Sequence, residues 1–594
     1  MQFNIFSQLQ KELQEFNNDR IQIAGVEGHG AKYLNNKGGG YQFSQKDTLN
    51  LIDLYYNSKF ESGDTDSEGQ RKVFLNICAF RADVATKQVD LDVKDFVFVP
   101  DDNASEFGAL FLTRKFKAWA KENFFGELLN EAEIDYPKYG TVVVKKLKEE
   151  VQRVPLKNII IKQDAKDIKT AEYFIEEHKD MRLEDMQAMK GWNLSNLDLD
   201  FDSAVTVYER YGRVPLSTFK ELKGLEVEDG DDKKVTNCIA IMTLDAKKKK
   251  ETPAGNVIFI EELEGKDRPY EECHWRRQDG RWLGIGEIEN LFENQIVQNM
   301  TANLRKRALY WSSKHLFQSS DTEIAKNLVR NVKDGDVIKI MPNGNISPVS
   351  IETRNLGEFQ SSEQLWENNS DKKSFTYEVA TGEALPSGTP FRLGVVMSNA
   401  VNSHFALKRE NLGLFFNRVV MELVLDIFKK QNKKPHKMMI PADEKGVEVL
   451  KKELAAIYTY QNFKDQLLQG GIPDLEDIKA KVDEEIAKRK NLSFDIPDDY
   501  YEQLETTVTL VTTGENINLE KKIESLTNLY TSMAQRGDPR AEIVLKRILA
   551  LSGEDYDSFG EAQAPQGQGM QGIAQAMQMA SQAPQGQPAP VPNA

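Results

Sequence analysis

The sequence has few cysteines, no long apolar run and no excess of positive charge. Three cysteines in 594 residues cannot form a disulfide framework, and they favour a reducing compartment. No run of about 18 residues is apolar, which excludes a membrane-spanning helix. Lys11 and Glu12 interrupt the N-terminus where a secretory signal needs an apolar stretch. The net charge of −16, from 77 basic and 93 acidic residues, argues against a general basic surface that grips nucleic acid, but not against a protein that DNA merely passes.

Motifs of the common enzyme classes are also missing. The chain has no P-loop of the form GxxxxGK[ST], no HExxH and no GxSxG. Gly284 and Gly286 precede a helical pattern as in a dinucleotide-binding loop, but the third glycine is absent. Glu287 and Glu289 follow them and would repel a pyrophosphate. We therefore predict a tight turn into a helix at these glycines.

Two short patterns bear on metal chemistry. Cys273 and His274 are adjacent but lack a second pair at metal-ligand spacing, so we predict a structural cysteine and a surface or core histidine. Glu264 and Lys266 form an ExK pair which, with Glu261 nearby, resembles half of a metal-dependent nuclease site. A chain this rich in charge contains such pairs by chance, and a solvated turn is the simpler interpretation. We predict no catalytic residue, no metal site and no cofactor.

The spacing of apolar residues predicts an α+β protein that is mainly helical, and its length suggests three or four compact units. Helices are expected at 1–16, 47–57, 71–88, 103–133, 171–189, 286–311, 389–432, 443–468, 473–490, 518–535 and 539–552. Strands are expected at 89–100, at 135–162 and in a strand-rich insertion at 203–275. The last residues, 556–594, are rich in Gln, Pro, Gly and Ala, which predicts a disordered tail.

Two of these helices are unusual. Residues 286–311 give the clearest amphipathic pattern, with an apolar stripe formed by Ile288, Leu291, Phe292, Ile296, Met300, Leu304 and Ala308. The opposite face is rich in Asn and Gln with mixed charges, which suits a subunit interface or a hydrated passage. The helix over 389–432 starts at a threonine cap followed by proline and would be about 60 Å long. Such a helix exceeds the diameter of a small domain and is typical of a strut in an assembly.

Four stretches of the chain follow one another in a definite order. They are RKVFLNICAFRADVATKQVDLDVKDFVFVP, DYPKYGTVVVKK, HWRRQDGRWLGIGEIENLFENQIVQNMTANLRKRA and TGEALPSGTPFRLGVVMSNAVNSHFALKRENLGLFFNRVV. In this order they resemble the portal (head–tail connector) proteins of tailed bacteriophages. The first is similar to the family's N-terminal helix and strand, and the second to its turn–glycine–strand pattern. The third is similar to the glycine-flanked turn that opens a long helix, and the fourth to the loop before the wing helix. The resemblance covers residues 44–432.

The resemblance implies a non-enzymatic virion protein that forms a ring, usually a dodecamer, at one capsid vertex. Such a ring contacts the major capsid protein, docks the terminase large subunit and then head–tail adaptor and tail proteins, and conducts double-stranded DNA. It assembles in the bacterial cytoplasm without a membrane. The implied portal-like architecture has an N-terminal arm (1–43), a wing (44–164 and 315–442), a first stem helix (165–199), a clip (200–282), a second stem helix (283–314), a tunnel loop (353–375), a long wing helix (389–432), a helical crown (443–555) and a tail (556–594).

The resemblance also suggests which residues face the channel. They are Glu293, Asn294, Gln298, Asn299, Arg305, Arg307, Arg354, Lys372 and Lys373. The basic run of Lys247, Lys248, Lys249 and Lys250 is expected to dock a partner at the clip. Two alternatives remain open: a metal-dependent nuclease using Glu261, Glu264 and Lys266, and a helical virion scaffold or adaptor without a channel.

Overall fold

The computed structural model describes most of the chain up to residue 312 and selected segments after it. The described residues are 3–19, 21–22, 42–66, 69–100, 106–189, 191–195, 197, 203–244, 254–263, 268–312, 316–319, 346–349, 356–377, 391–431, 436–439, 493–496, 508–512, 519–535 and the positions 459, 476, 480–481, 484 and 544–545. The chain divides into two units, Met1–Thr513 and Gly514–Ala594, each described here by itself.

The first unit contains most of the described helices. They are α1 (Ile5–Asn18), α2 (Gln45–Tyr56), α3 (Cys78–Gln88), α4 (Glu106–Glu122), α5 (Phe125–Tyr139), α6 (Leu183–Ala188), α7 (Leu216–Lys223), α8 (Glu287–Asn290), α9 (Phe292–Ser312), α10 (Leu356–Ser374), α11 (Phe391–Arg418) and α12 (Leu425–Gln431). A π-helical turn, Val419–Val424, joins α11 to α12. In the second unit the structure describes α13 (Leu519–Gln535). None of the described helices is long and apolar enough to cross a bilayer.

The strands form antiparallel sheets. They are β1 (Ile21–Gln22), β2 (Gln42–Phe43), β3 (Phe96–Pro100), β4 (Thr141–Lys146), β5 (Val151–Arg153), β6 (Ile159–Ile161), β7 (Tyr173–Arg182), β8 (Ala204–Pro215), β9 (Val235–Leu244), β10 (Gly255–Glu262), β11 (Tyr270–His274), β12 (Leu316–Ser319), β13 (Ile346–Val349), β14 (His436–Met439), β15 (Ser493–Ile496) and β16 (Val508–Thr512). The largest sheet has the order β10-β9-β8-β7-β6, and a smaller one has the order β11-β4-β5. Two-stranded ribbons pair β1 with β2, β12 with β13, β14 with β15 and β16 with β3.

An aromatic core anchors α11 against α4 and α5. The rings of Phe116 and Phe125 lie 5.4 Å apart, and those of Phe125 and Phe416 lie 6.1 Å apart, both nearly perpendicular. Such edge-to-face contacts add about 0.5–1.5 kcal/mol each beyond the burial of the rings. One side of the long helix is therefore fixed inside the chain.

Helix α1 belongs to the core of the large sheet. Ile5, Leu9 and Phe16 are buried in the same cluster as apolar side chains of the sheet. Glu12 lies among them and accepts two hydrogen bonds from the guanidinium of Arg210, at 2.7 and 2.6 Å. The start of the predicted N-terminal arm is thus a helix held on the sheet by apolar contacts and a buried ion pair.

A backbone contact between Gly140 and the Gly284–Gly286 turn joins α5, β4 and α8. Gly140 ends α5 in the left-handed conformation, with φ of 78°. A Cβ added to Gly140 would lie 2.3 Å from the backbone nitrogen of Gly286, and one added to Gly284 would lie 2.0 Å from the carbonyl oxygen of Gly140. Glycine is therefore required on both sides of the contact. The predicted tight turn into a helix is confirmed.

Several other predictions are also confirmed. The protein is α+β with antiparallel sheets, and strands β8 to β11 lie in the strand-rich region at 203–275. The helix at 286–311 is present as α8 and α9, interrupted at Leu291. The helix at 389–432 is present as α11, the π-helical turn and α12, and the one at 518–535 as α13.

The helix predicted over 171–189, the core of the expected first stem helix at 165–199, is wrong. Residues Tyr173–Arg182 form strand β7, which pairs with β6 and β8, and only the short α6 follows. Glu, Lys and Met are good helix formers, and their abundance here gives a helical pattern. Tertiary contacts override it, because Glu176 is buried in the strand by its ion pair with Lys145.

The expected loop at 353–375 is also different in the structure. Residues Leu356–Ser374 form α10, whose few apolar side chains leave little periodicity to detect. The helix predicted over 103–133 is two helices, α4 and α5, separated at Phe124, which has a left-handed φ of 52°. The helices expected at 443–468, 473–490 and 539–552 lie almost wholly outside the described residues, as does the tail.

The glycine contact generates a stability prediction. Gly284→Ala places a methyl group against the carbonyl oxygen of Gly140, so we expect a loss of about 1–3 kcal/mol in the free energy of unfolding. Gly357→Ala is the matched control, because a Cβ there meets no atom within 4 Å and the residue lies in α10. Thermal unfolding followed by circular dichroism measures both. Equal midpoints for the two variants would show that the contact is not constrained.

Candidate functional site

The residues predicted to face a channel lie mainly where α9 meets α10 and segment 73–77. We call this region the amide seam. The side chains of Asn294, Gln298 and Asn299 are buried here within the single chain. Asn294 donates to the hydroxyl of Ser370 at 2.8 Å and accepts from Lys373 at 2.9 Å. These amides hold α9 to its neighbours, so they could line a channel only if α9 separated from α10 and segment 73–77.

Segment 73–77 is bound through a ladder of side-chain amides on α9. Asn303 accepts from the backbone nitrogen of Val73 at 2.8 Å, and Asn299 from that of Leu75 at 2.9 Å. Gln295 accepts from the backbone nitrogen of Ile77 at 2.8 Å. Four residues of helix rise about 6 Å, close to the ~6.6 Å of two residues in an extended chain, so amides four apart match alternate residues of the segment.

Gln295 also caps α3. The N-cap residue of α3, Ile77, has no side-chain cap of its own. The amide oxygen of Gln295 accepts from the backbone nitrogens of Ile77 and Cys78, and its nitrogen donates to the carbonyl of Leu75 at 2.5 Å. The sequence analysis did not single out Gln295, although its spacing of four residues from Asn299 and Asn303 was a visible signal.

The predicted cations of the seam are partly used within the chain. Arg305 forms an ion pair with Glu363 at 2.5 Å, and Lys373 lies 3.6 Å from Glu293. Arg307 and Lys372 are exposed. Arg354 lies outside the described residues, as do Lys247, Lys248, Lys249 and Lys250.

The apolar stripe predicted on this helix is only half buried. Ile288, Leu291 and Phe292 are buried as expected. Met300 and Leu304, in contrast, are 49% and 44% exposed, so the apolar stripe is not buried along its whole length. The reason is the amide ladder, which turns the polar face of α9 towards the protein and leaves the apolar face outside.

A second long helix has the same property. Leu407 and Leu414 on α11 are 58% and 50% exposed, although the opposite side of that helix carries the buried residues of the aromatic core. They are seven residues apart and therefore lie on one face. Two helices of the first unit thus present apolar pairs to solvent.

A buried charged cluster joins the two larger sheets. Lys145 on β4 donates to Glu176 on β7 at 2.8 Å and to Glu209 on β8 at 2.6 Å. His178 lies 3.2 Å from Glu209, and Tyr211 donates to the same carboxylate at 2.5 Å. Burial alone would raise the pKa of Glu209, but Lys145, His178 and Tyr211 together lower it to about 2. The carboxylate is therefore ionised at neutral pH.

Three members of this cluster have the geometry of metal ligands. Atoms of Glu176, His178 and Glu209 lie within 4.8 Å of one another. The ammonium of Lys145 contacts both carboxylates and already supplies the positive charge that a metal would bring. The arrangement is better explained as an ion-pair network that joins the sheets than as a metal centre.

The residues considered for metal or nuclease chemistry do not form a site in the described part of the chain. Glu261 is exposed on β10, whereas Glu264 and Lys266 lie outside the described residues. Cys273 is buried, and burial raises the pKa of its thiol to about 11. His274 is within 3.1 Å of the hydroxyl of Thr141. The buried position of Cys273 is compatible with the predicted structural role.

Comparison with known proteins gives distant similarity to solved structures. Neither a protein-family model nor a curated protein matches the sequence. A solved structure described as the neck of an empty GTA particle, computed with C6 symmetry, is similar over 76% of this chain and 97% of that chain. The sequence identity is 9% and the TM-score is 0.34, and a similarity at this level carries no argument about function.

The amide seam predicts a specific loss of stability. Gln295→Ala leaves the buried backbone N–H groups of Ile77 and Cys78 without their acceptor, which costs about 1–3 kcal/mol. Thermal unfolding measures the total effect, and hydrogen exchange at the start of α3 tests its location. Gln364→Ala, at an exposed position of α10, is the control. Unchanged exchange at Ile77 and Cys78 would contradict the capping role.

The buried charged cluster around Lys145 predicts a loss of stability that depends on pH. Lys145→Met removes the cation from two buried carboxylates, so we expect a loss of about 3–5 kcal/mol at neutral pH. The lowered pKa of Glu209 contributes stability above its ordinary value of 4.5 that is lost as the pH falls towards about 2. The deficit of the variant should therefore shrink as the pH falls below about 4.5 towards 2. Lys179→Met, at a half-exposed lysine of β7, is the control, and a deficit that is as large at about pH 3 as at neutral pH would refute the assignment.

Proposed function

We propose that this protein is a structural subunit of a tailed-phage-like virion that forms a ring at the junction of head and tail. The observation that carries the proposal is the pair of exposed apolar faces on α9 and α11, in a chain whose motifs follow the order of the portal family. A monomeric enzyme has no use for such faces, whereas a subunit buries them against further copies.

The geometry of the faces suits self-association. Met300 and Leu304 lie one helical turn apart on α9, and Leu407 and Leu414 lie two turns apart on α11. Fully burying a side chain of this size contributes about 1.5–3 kcal/mol. When the face of one helix meets the other helix of the next copy, the contact is heterologous, and such contacts form a ring when the rotation between copies closes.

The long helix supports a role as a strut. From Phe391 to Gln431 the chain is helical without interruption, apart from the π-helical turn, which corresponds to about 60 Å. The aromatic core fixes one side of it. A rigid element of this length can transmit contacts across a large assembly.

The charge of the chain fits a passage for DNA. A wall that neutralises many phosphates releases counterions and binds the duplex tightly, which would stop it from moving. A net charge of −16 avoids such a trap. In this proposal Glu293, Arg305, Arg307, Lys372 and Lys373 are the residues nearest the channel.

The finer assignments are part of the same proposal. The clip would comprise 200–282, the second stem helix 283–314, the wing 44–164 and 315–442, and the crown 443–555. The partners would be further copies of the chain, the major capsid protein, the terminase large subunit, and adaptor and tail proteins. The ring would be a dodecamer that conducts DNA during packaging and ejection.

The proposal predicts assembly that depends on the apolar faces. The purified chain should form particles with a central hole in negative-stain images, with a mass many times that of one chain by light scattering. The double variant Leu407→Asp with Leu414→Asp should assemble at least about tenfold more weakly, because burying two carboxylates in an apolar contact is unfavourable.

The matched control is Leu225→Asp, which makes the same change at a leucine that is equally exposed but lies outside both helices. It should assemble like the unmodified chain. Solitary particles from the unmodified chain, without a hole, would overturn the proposal. Normal rings from the double variant would show that α11 does not form the contact.

A further inference from the structure

A cavity of about 320 Å³ lies between α1, β8 and the chain segments next to β7 and β11. Its wall includes three arginines, Arg210, Arg213 and Arg268, and two glutamates, Glu12 and Glu172. The volume is at the lower end of the ~300–1,000 Å³ range of small-ligand pockets. The cavity belongs to a single chain and is separate from the amide seam.

Arg210 is only partly satisfied. It is 2% exposed, and two of its guanidinium nitrogens donate to Glu12. The third, Nη1, is buried and has no hydrogen-bond partner in the part of the chain that the structure describes. Glu12 is occupied by this pair and by Gln8, which donates to it at 2.8 Å. A buried N–H without an acceptor costs about 1–3 kcal/mol, so the site favours an additional acceptor.

Arg268 is buried without a carboxylate partner among the described residues. Its guanidinium donates to the backbone carbonyls of Ile168 and Ala171, at 2.5 and 2.9 Å. Burial and the nearby charge of Arg210 lower the pKa of Arg268 to about 10. These hydrogen bonds are therefore to neutral carbonyl groups, and the charge of Asp167 acts on Arg268 from a longer distance.

The surroundings keep the arginines in place. A Cβ added to Gly212 would lie 2.9 Å from Nη2 of Arg210, so the glycine gives the guanidinium room to lie against β8. Arg213 follows on the same strand and is exposed at the opening of the cavity, as is Glu172. With Glu12 neutralised by Arg210, the remaining wall has an excess of positive charge.

We propose that this cavity binds a small oxyanion of the phosphate class. Guanidinium groups donate in a planar fork that matches the oxygens of such anions, and hydrogen bonds between opposite charges are the strong ones. Arg210, which lines the cavity, carries at Nη1 a donor that is unpaired within the described ranges, Arg268 supplies positive charge at the wall, and Arg213 supplies a donor at the opening. The proposal does not depend on ring formation.

The test uses the full chain and inorganic phosphate. Phosphate should raise the midpoint of thermal unfolding in a saturable manner, compared with sodium chloride at the same ionic strength, and titration calorimetry should give one site per chain. Acetate, with a single charge, should bind more weakly. Phosphate that is no better than chloride would overturn the proposal.

Variants locate the site. Arg213→Met should weaken phosphate binding about tenfold or more, which corresponds to the loss of one charged hydrogen bond, and should leave the unliganded stability unchanged because the side chain is exposed. Arg71→Met, at an exposed arginine outside the cavity, is the matched control and should bind normally. Equal weakening in both variants, or in neither, would place any bound phosphate elsewhere and refute the proposal. Arg268→Lys should weaken binding while retaining positive charge, because lysine lacks the planar fork.

Discussion

The close passage of Gly140 against the Gly284–Gly286 turn is the constraint on which the rest of the first unit depends. At this point α5 ends, β4 begins and the chain leaves β11 for α8. The carbonyl of Gly140 accepts from Trp275, and the hydroxyl of Thr141 accepts from Gly284, at 2.9 and 2.8 Å. Both the Lys145 cluster and the amide seam are attached to elements that start here. A side chain at any of these glycines would clash with backbone atoms across the contact.

The amide seam shows what a sequence pattern determines and what it leaves open. The periodicity of 286–311 correctly predicts a helix with one apolar and one polar face. It does not say which face meets the protein, because that depends on segment 73–77, more than 200 residues earlier in the chain. Hydrogen bonds between the side chains of Gln295, Asn299 and Asn303 and the backbone of segment 73–77 determine which face is buried. Their spacing was readable in the sequence, but their partner was not.

Local signals gave correct predictions more often than long-range ones. Ser44 lies just before α2 and caps it, as expected of a serine at that position. The turn at Gly284–Gly286 follows from the absent third glycine of a dinucleotide-binding loop and from the acidic residues after it. Strand β7 could not be predicted in this way. Glu176 favours a helix in isolation, and its burial in a strand is stabilised by Lys145 and Tyr270 on another sheet. The cavity next to Arg210 could not be predicted either, since Glu12 and Arg268 of its wall come from distant parts of the chain.

Two features of the described part of the single chain lack a partner: the exposed apolar pairs on α9 and α11, and Nη1 of Arg210. Each needs a different kind of contact. The exposed apolar pairs on α9 and α11 need only to be covered by apolar surface, and a further copy of the same chain is sufficient for that. Nη1 of the buried Arg210 needs a hydrogen-bond acceptor, which an apolar contact between copies does not provide. Arg305 and Lys373 of the amide seam need no additional acceptor in this way, because they are already bound to Glu363 and Asn294. Cations that are engaged in this way attract a polyanion less than free ones do, so under the two proposals the seam would let DNA pass whereas the cavity, through Nη1 of Arg210, would hold a small anion.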